Sequence, residues 1–91
     1  MQHLTLKIYG KVQDVYFRDN TTELAKKLGL VGYVKNIADG SLEVVAEGEE
    51  LPLKKLLDWC KIGPRLAKVE RVEEEWEEVG NLSFEEFEIE Y

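Results

Sequence analysis

Apolar and polar residues alternate along several segments of the chain, which is typical of half-buried β-strands. Residues 4–9 place Leu4, Leu6 and Ile8 on one side and are predicted to end at Gly10, and residues 41–47 alternate in the same way. Residues 31–35, residues 68–77 and a short last segment with alternating Phe87, Ile89 and Tyr91 are also predicted to be strands. The pattern therefore predicts five strands.

Two further segments carry apolar residues at helical spacing. The first is predicted to begin at Asn20 as N-cap, with Glu23 in capping-box position, and to end at a left-handed Gly29. The second is predicted to begin near Pro52 and to stop at Gly63-Pro64. The buried stripes would be Leu24, Ala25 and Leu28 in the first helix and Leu53, Leu56, Leu57 and Cys60 in the second.

The predicted order is β-α-β-β-α-β with one extra C-terminal strand. Right-handed crossovers in such a chain place two helices on one face of a mostly antiparallel sheet, so the sequence predicts an α+β, ferredoxin-like sandwich. Residues 1–91 are expected to form a single domain, because no linker or repeat interrupts them. In this topology the first and third strands are neighbours, and a hairpin through residues 36–40 joins the second to the third.

The charge balance restricts the possible ligands. The net charge is −7 and 34% of the residues are charged, so the surface repels nucleic acid, and a phosphate site must be built locally from backbone amides and one or two cations. Cys60 is the only cysteine and His3 the only histidine, and we expect neither a metal nor another cofactor. No apolar run suits a membrane span or a signal segment. We therefore expect a cytoplasmic monomer.

The segment Gly10-Lys-Val-Gln-Asp-Val-Tyr-Phe-Arg18 lies between a predicted strand and a helix start, where free N–H groups favour an anion. The guanidinium of Arg18 can bind two phosphate oxygens at once, although pairing with Asp14 or Asp19 is an equally good explanation of its position. Asn36 alone is more typical of a turn residue. The predicted topology brings Arg18 and Asn36 to one end of the sheet, which favours a phosphoryl site.

Three stretches resemble the acylphosphatase family over nearly the whole chain. Residues 10–18 resemble the family's Gly-x-Val-Gln-Gly-Val-x-Phe-Arg loop, and Gly32-Tyr-Val-Lys-Asn-Ile-Ala-Asp-Gly40, continuing to Gly48, resembles its second signature. Gly63-Pro64 with Val69, Val72 and Trp76 resembles a later segment. The first two stretches together are specific, because their residues are unusual and occur in the right order.

The resemblance implies hydrolysis of acyl phosphates to a carboxylate and inorganic phosphate, without a metal or another cofactor. It implies that Arg18 and Asn36 are catalytic, with Arg18 on the phosphoryl oxygens and Asn36 holding the attacking water. The amides of the loop would complete the substrate-binding set, which is Gln13, Asp14, Val15, Tyr16, Phe17 and Arg18. Small acyl phosphates and phosphate would be the partners.

The chain departs from the family pattern at two acidic positions. Asp14 stands where the family has glycine, and Asp19 stands where a larger apolar residue is expected. A carboxylate near the phosphate would weaken binding. A catalytically weak or inactive relative that binds an anion or a protein partner is therefore the alternative function. A ferredoxin-like RNA-binding module is disfavoured by the acidic charge.

Overall fold

A computed structural model describes all residues from 1 to 91 and contains five strands and two helices. The elements in chain order are β1 (Gln2–Lys11), α1 (Phe17–Lys27), β2 (Val31–Asn36), β3 (Leu42–Gly48), α2 (Glu50–Cys60), β4 (Lys68–Glu78) and β5 (Phe87–Glu90). This order confirms the predicted number and sequence of elements. Both helices are too short to cross a membrane.

The strands form one sheet in the order β4-β1-β3-β2-β5. β1 is antiparallel to β3 and β4, and β2 is antiparallel to β3. This is the predicted ferredoxin-like arrangement, in which the first and third strands are neighbours. The extra strand β5 is parallel to β2 and forms an edge of the sheet. The C-terminal end of β5 therefore lies beside the C-terminal end of β2.

The core lies between the sheet and the two helices. The alternating residues Leu4, Leu6 and Ile8 of β1 are fully buried, as the period of two predicts. α2 adds Leu53, Leu56, Leu57 and Cys60 to the same apolar cluster, as its spacing predicts. The glutamates of β4 are exposed along the opposite sheet edge, where their charge opposes edge-to-edge pairing.

The predicted start of the first helix is wrong. α1 begins at Phe17, and Tyr16 precedes it as an N-cap with left-handed backbone and no capping side chain. Asn20 lies within the first turn, where its side-chain Nδ2 donates to the Tyr16 carbonyl oxygen at 2.8 Å. The reason is packing, because burial of Phe17 extends the helix by a turn. The buried positions are Phe17, Thr21 and Ala25, whereas Leu24 and Leu28 are half-buried.

Gly10 does not end the first strand. β1 continues to Lys11, and its pairing register with β4 shifts between Tyr9 and Gly10. Gly10 has φ of +128°, and a Cβ atom there would lie 2.1 Å from the Lys68 carbonyl oxygen. Glycine is therefore required because the backbone of β4 approaches closely at this bulge.

A buried carboxylate lies on the sheet face away from the helices. Glu47 of β3 is 1% exposed, and its Oε2 lies 2.5 Å from Nδ1 of His3 on β1. The backbone N–H of Ser83 donates to the other oxygen of Glu47 at 2.6 Å. The segment that precedes β5 is thereby tied to the centre of the sheet.

Candidate active site

The loop between β1 and α1 has a backbone suited to anion binding. Asp14 and Tyr16 have φ of 61° and 66°, the left-handed conformation that residues other than glycine adopt rarely. The backbone N–H groups of residues 13–18 donate to no acceptor within the protein. Those nearest the start of α1 also lie at the positive end of its dipole. The loop therefore presents several free donors next to a helix N-terminus.

Gln13 anchors this loop to the β2–β3 hairpin. Its Nε2 donates to the carbonyl oxygens of Ile37 and Ser41 at 2.8 and 3.0 Å. Val15, two residues later, is 3% exposed and belongs to the core cluster. Burial of Val15 holds the loop against the core, and the hydrogen bonds of Gln13 hold the loop next to the hairpin.

The hairpin turn is itself held in one conformation. The Asp39 carboxylate accepts hydrogen bonds from the side chain and the backbone N–H of Ser41, and it forms an ion pair with Lys7 at 3.1 Å. These contacts, those with Ser41 first, lower the pKa of Asp39 to about 2, so the carboxylate stays ionised at neutral pH. These contacts stabilise the turn that follows Asn36 at the end of β2.

Asn36 has an unusual buried acceptor. The residue is half-buried, and its side-chain Oδ1 is inaccessible to solvent and accepts no hydrogen bond from the protein. A buried carbonyl oxygen without a donor costs about 1–3 kcal/mol. Such a cost is more typical of a residue kept for function than of one kept for stability.

Arg18 and Asn36 line one cleft of about 380 Å³ at this end of the sheet. This confirms the expectation from topology that the loop after the first strand and the end of the second strand meet. The other residues that line the cleft are Val12, Asp14, Tyr16, Phe17, Asp19, Ile89 and Tyr91.

Arg18 is not neutralised by its acidic neighbours. It forms no ion pair with Asp14 or Asp19, so the alternative interpretation of Arg18 as a surface residue paired with one of them is wrong. Its guanidinium carbon lies over the Tyr91 ring, 5.2 Å from the ring centroid. A cation–π contact of this kind orients the guanidinium and leaves its five N–H donors in place for an anion.

The structure separates the predicted loop residues into two groups. Asp14, Tyr16, Phe17 and Arg18 border the cleft, whereas the side chains of Gln13 and Val15 do not and serve as the anchors described above. Any role of Gln13 and Val15 in binding substrate would fall to their backbone N–H groups.

Sequence reasoning missed three residues of the cleft, Val12, Ile89 and Tyr91. The alternation of Ile89 and Tyr91 was visible, but no local signal indicates which strand β5 pairs with. The parallel pairing with β2, which aligns Val34 with Ile89, brings the end of the chain to Asn36. The resulting cleft combines one cation, an amide side chain and several free N–H groups, which is a donor set for a phosphoryl group.

Comparison with known proteins shows which family the chain resembles. The acylphosphatase family model matches residues 4–89. The chain is 52% identical over 67 residues to an acylphosphatase of Marinobacter nauticus, covering 74% of this chain and 73% of that protein. It is 48% identical over 77 residues to an acylphosphatase of Thermococcus kodakarensis, covering 85% of each chain. The crystal structure of the Bacillus subtilis acylphosphatase superimposes with a TM-score of 0.94 at 32% identity over the full length of both chains.

Proposed function

Because the chain belongs to the acylphosphatase family, we propose that it hydrolyses acyl phosphates, with Arg18 and the loop amides on the phosphoryl group and Asn36 on the water. The observation that carries this proposal is the shared cleft of Arg18 and Asn36, next to N–H groups that have no partner in the protein. Arg18 and Asn36 also lie within the two stretches, residues 10–18 and 32–40, that resemble the family's signatures.

The reaction is a displacement at phosphorus. The oxygen of water forms a bond to phosphorus while the bond between phosphorus and the bridging oxygen breaks, and the electron pair leaves with the carboxylate. The water gives one proton to a phosphoryl oxygen, so the products are a carboxylate and inorganic phosphate. A carboxylate is a good leaving group, and the loose transition state needs positioning and charge stabilisation more than a general base.

The two side chains have different tasks in this scheme. The guanidinium of Arg18 and the free amides hold the equatorial oxygens of the phosphoryl group, where charge develops in the transition state. Asn36 borders the cleft, and its side-chain amide makes no hydrogen bond within the protein, so this amide is available to hold the attacking water. Orientation of that water lowers the entropic part of the barrier.

A timed assay of phosphate release tests the proposal. We expect acetyl phosphate to be hydrolysed, a phosphate monoester such as phenyl phosphate to be left intact, and inorganic phosphate to compete with the acyl phosphate. Phosphate should also raise the midpoint of thermal unfolding, because it binds the folded state only. Absence of acyl phosphate hydrolysis would reject the enzymatic proposal.

A second candidate function is an anion-binding domain with little or no catalysis. The observation that favours it is the position of Asp14 and Asp19, whose side chains both border the cleft. Two carboxylates there oppose the binding of a dianion. Phosphate that stabilises the protein against heat without turnover of any acyl phosphate would support this second function.

A further inference from the structure

A second hollow adjoins the cleft on the far side of Tyr16. This hollow, which we name the acyl groove, has a volume of about 520 Å³ and lies between the start of α1, the end of α2 and residues 64–66. Its apolar lining consists of Val15, Tyr16, Trp59, Pro64 and Leu66. Tyr16 borders both the cleft and the groove.

The walls of the two hollows are in direct contact. The ring of Phe17, which lines the cleft, packs edge-on against Trp59 of the groove with 5.3 Å between ring centroids. The two hollows are therefore adjacent parts of one surface. A molecule that places its phosphoryl group at Arg18 can extend past Tyr16 onto the rings and methyl groups of the groove.

Two of the apolar side chains that line the groove are largely exposed to solvent. Tyr16 is 68% exposed and Leu66 is 57% exposed. Removal of such surface from water by a ligand is favourable in proportion to the apolar area covered. An apolar hollow with a few polar groups beside it is the usual form of a small-molecule site.

The charge at the groove fits a substrate that ends as a carboxylate. Arg65 borders the groove and forms no ion pair with a protein carboxylate. Asp14 and Asp19 border the cleft and repel a developing carboxylate, whereas Arg65 is the only charged residue that borders the groove. The distribution of charge thus directs the leaving group towards the groove.

We propose that the acyl groove binds the acyl group of the substrate and that it favours aromatic or branched apolar acyl groups over acetyl. This inference rests on the proposed function, because it assigns a binding site to the acyl group of the same substrate, which extends out of the cleft. The contacts of the groove determine this preference between acyl groups, and the action of Asn36 and Arg18 on the phosphoryl group does not affect it.

The test compares kcat/KM for benzoyl phosphate and acetyl phosphate in three proteins: the parent, Leu66→Ser and Ile62→Ser. Ile62 is the matched control, since it is 76% exposed, lies in the same connection and does not border the groove. We expect Leu66→Ser to lower the ratio of benzoyl to acetyl kcat/KM about 5-fold. Ile62→Ser should leave the ratio unchanged.

A binding measurement supplements the kinetics. Phenylphosphonate and inorganic phosphate are compared as competitive inhibitors, and Leu66→Ser should weaken only the former. The groove assignment is wrong, and the proposed function stands, if the parent turns over acyl phosphates but Leu66→Ser changes neither the benzoyl to acetyl ratio of kcat/KM nor the inhibition by phenylphosphonate relative to that by phosphate. If the parent hydrolyses neither acyl phosphate, the proposed function and this inference both fail.

Discussion

The side-chain amide of Gln13 donates to the carbonyl oxygen of Ile37 at 2.8 Å and so joins the loop between β1 and α1 to the hairpin that carries Asn36. A second bond to Ser41 at 3.0 Å makes the link a bidentate one. The two halves of the candidate site come from distant parts of the chain, and this link sets their separation. We therefore propose that Gln13 is a positioning residue, which would act on the reaction through the placement of Asn36.

Replacement of Gln13 should affect turnover through geometry. Gln13→Ala leaves two hairpin carbonyl oxygens without this donor, which should lower the free energy of unfolding by about 1–3 kcal/mol. It should lower kcat more than it raises KM, because the water is misplaced while the phosphate contacts remain. Gln2→Ala is the control, since Gln2 bonds an exposed glutamate far from the cleft. Equal kcat in parent and Gln13→Ala would contradict the positioning role.

Replacement of Asn36 should lower catalysis without lowering the stability of the fold. Asn36→Ala removes a buried oxygen that has no donor in the protein, so we expect the unfolding midpoint in denaturant to stay the same or rise. Turnover of acetyl phosphate should fall roughly 10²- to 10³-fold. A loss of stability of about 2 kcal/mol or more with kcat preserved would show that Asn36 has a structural role instead.

Asp14 offers a test of the acidic border of the cleft. Asp14→Asn removes the charge and keeps a residue that tolerates left-handed backbone, whereas Asp14→Gly also relieves the cost of φ at 61°. Both variants should lower the inhibition constant of phosphate about 2- to 10-fold at low salt, and the gain should shrink as salt rises. Only Asp14→Gly should gain about 1 kcal/mol of stability.

The same pair of variants can show that the carboxylate is irrelevant to binding. An inhibition constant of phosphate that is identical in the parent and Asp14→Asn at low salt would place the charge too far from the bound anion to act. The position of Asp14 would then bear on backbone conformation alone.

Stability at acid pH should depend on Glu47. Burial raises the pKa of Glu47, but the hydrogen bonds with His3 and Ser83 outweigh burial and hold it below its ordinary value of 4.5. The folded state therefore binds this proton less readily than the unfolded chain does. The contribution of Glu47 to stability is full above pH 4.5 and is lost as the pH falls through the lower folded value.

Urea unfolding of the parent and Glu47→Gln across acid pH measures this contribution. Glu47→Gln should lower the free energy of unfolding by about 1–3 kcal/mol at neutral pH. The difference in the free energy of unfolding between the two proteins should shrink as the pH falls. Protonation of Glu47 removes from the parent the stabilisation by the ionised carboxylate, which Glu47→Gln lacks at every pH. Glu49→Gln, an exposed control at the residue that follows β3 and precedes α2, should follow the parent. A difference that is constant with pH would assign the effect to packing.

Much of the architecture followed from periodicity, because alternation such as Leu4, Leu6 and Ile8 is a direct consequence of one buried sheet face. The meeting of Arg18 and Asn36 followed from topology. Local sequence signals did not predict the start of α1. Burial of Phe17 against Trp59 is a tertiary contact, and it overrides the local capping signal at Asn20. The part played by Tyr91 depends on the neighbour chosen by β5, which no local pattern specifies.

The most direct test of the proposed active site is the hydrolysis of acetyl phosphate by Arg18→Gln, with Arg71→Gln as the control. Arg71 lies on edge strand β4, paired with Glu73 and away from the cleft. We predict that Arg18→Gln loses at least about 10³-fold in kcat/KM and is no longer inhibited or stabilised by phosphate, while Arg71→Gln matches the parent. Turnover by Arg18→Gln at the parent rate would contradict the assignment of the cleft as the active site.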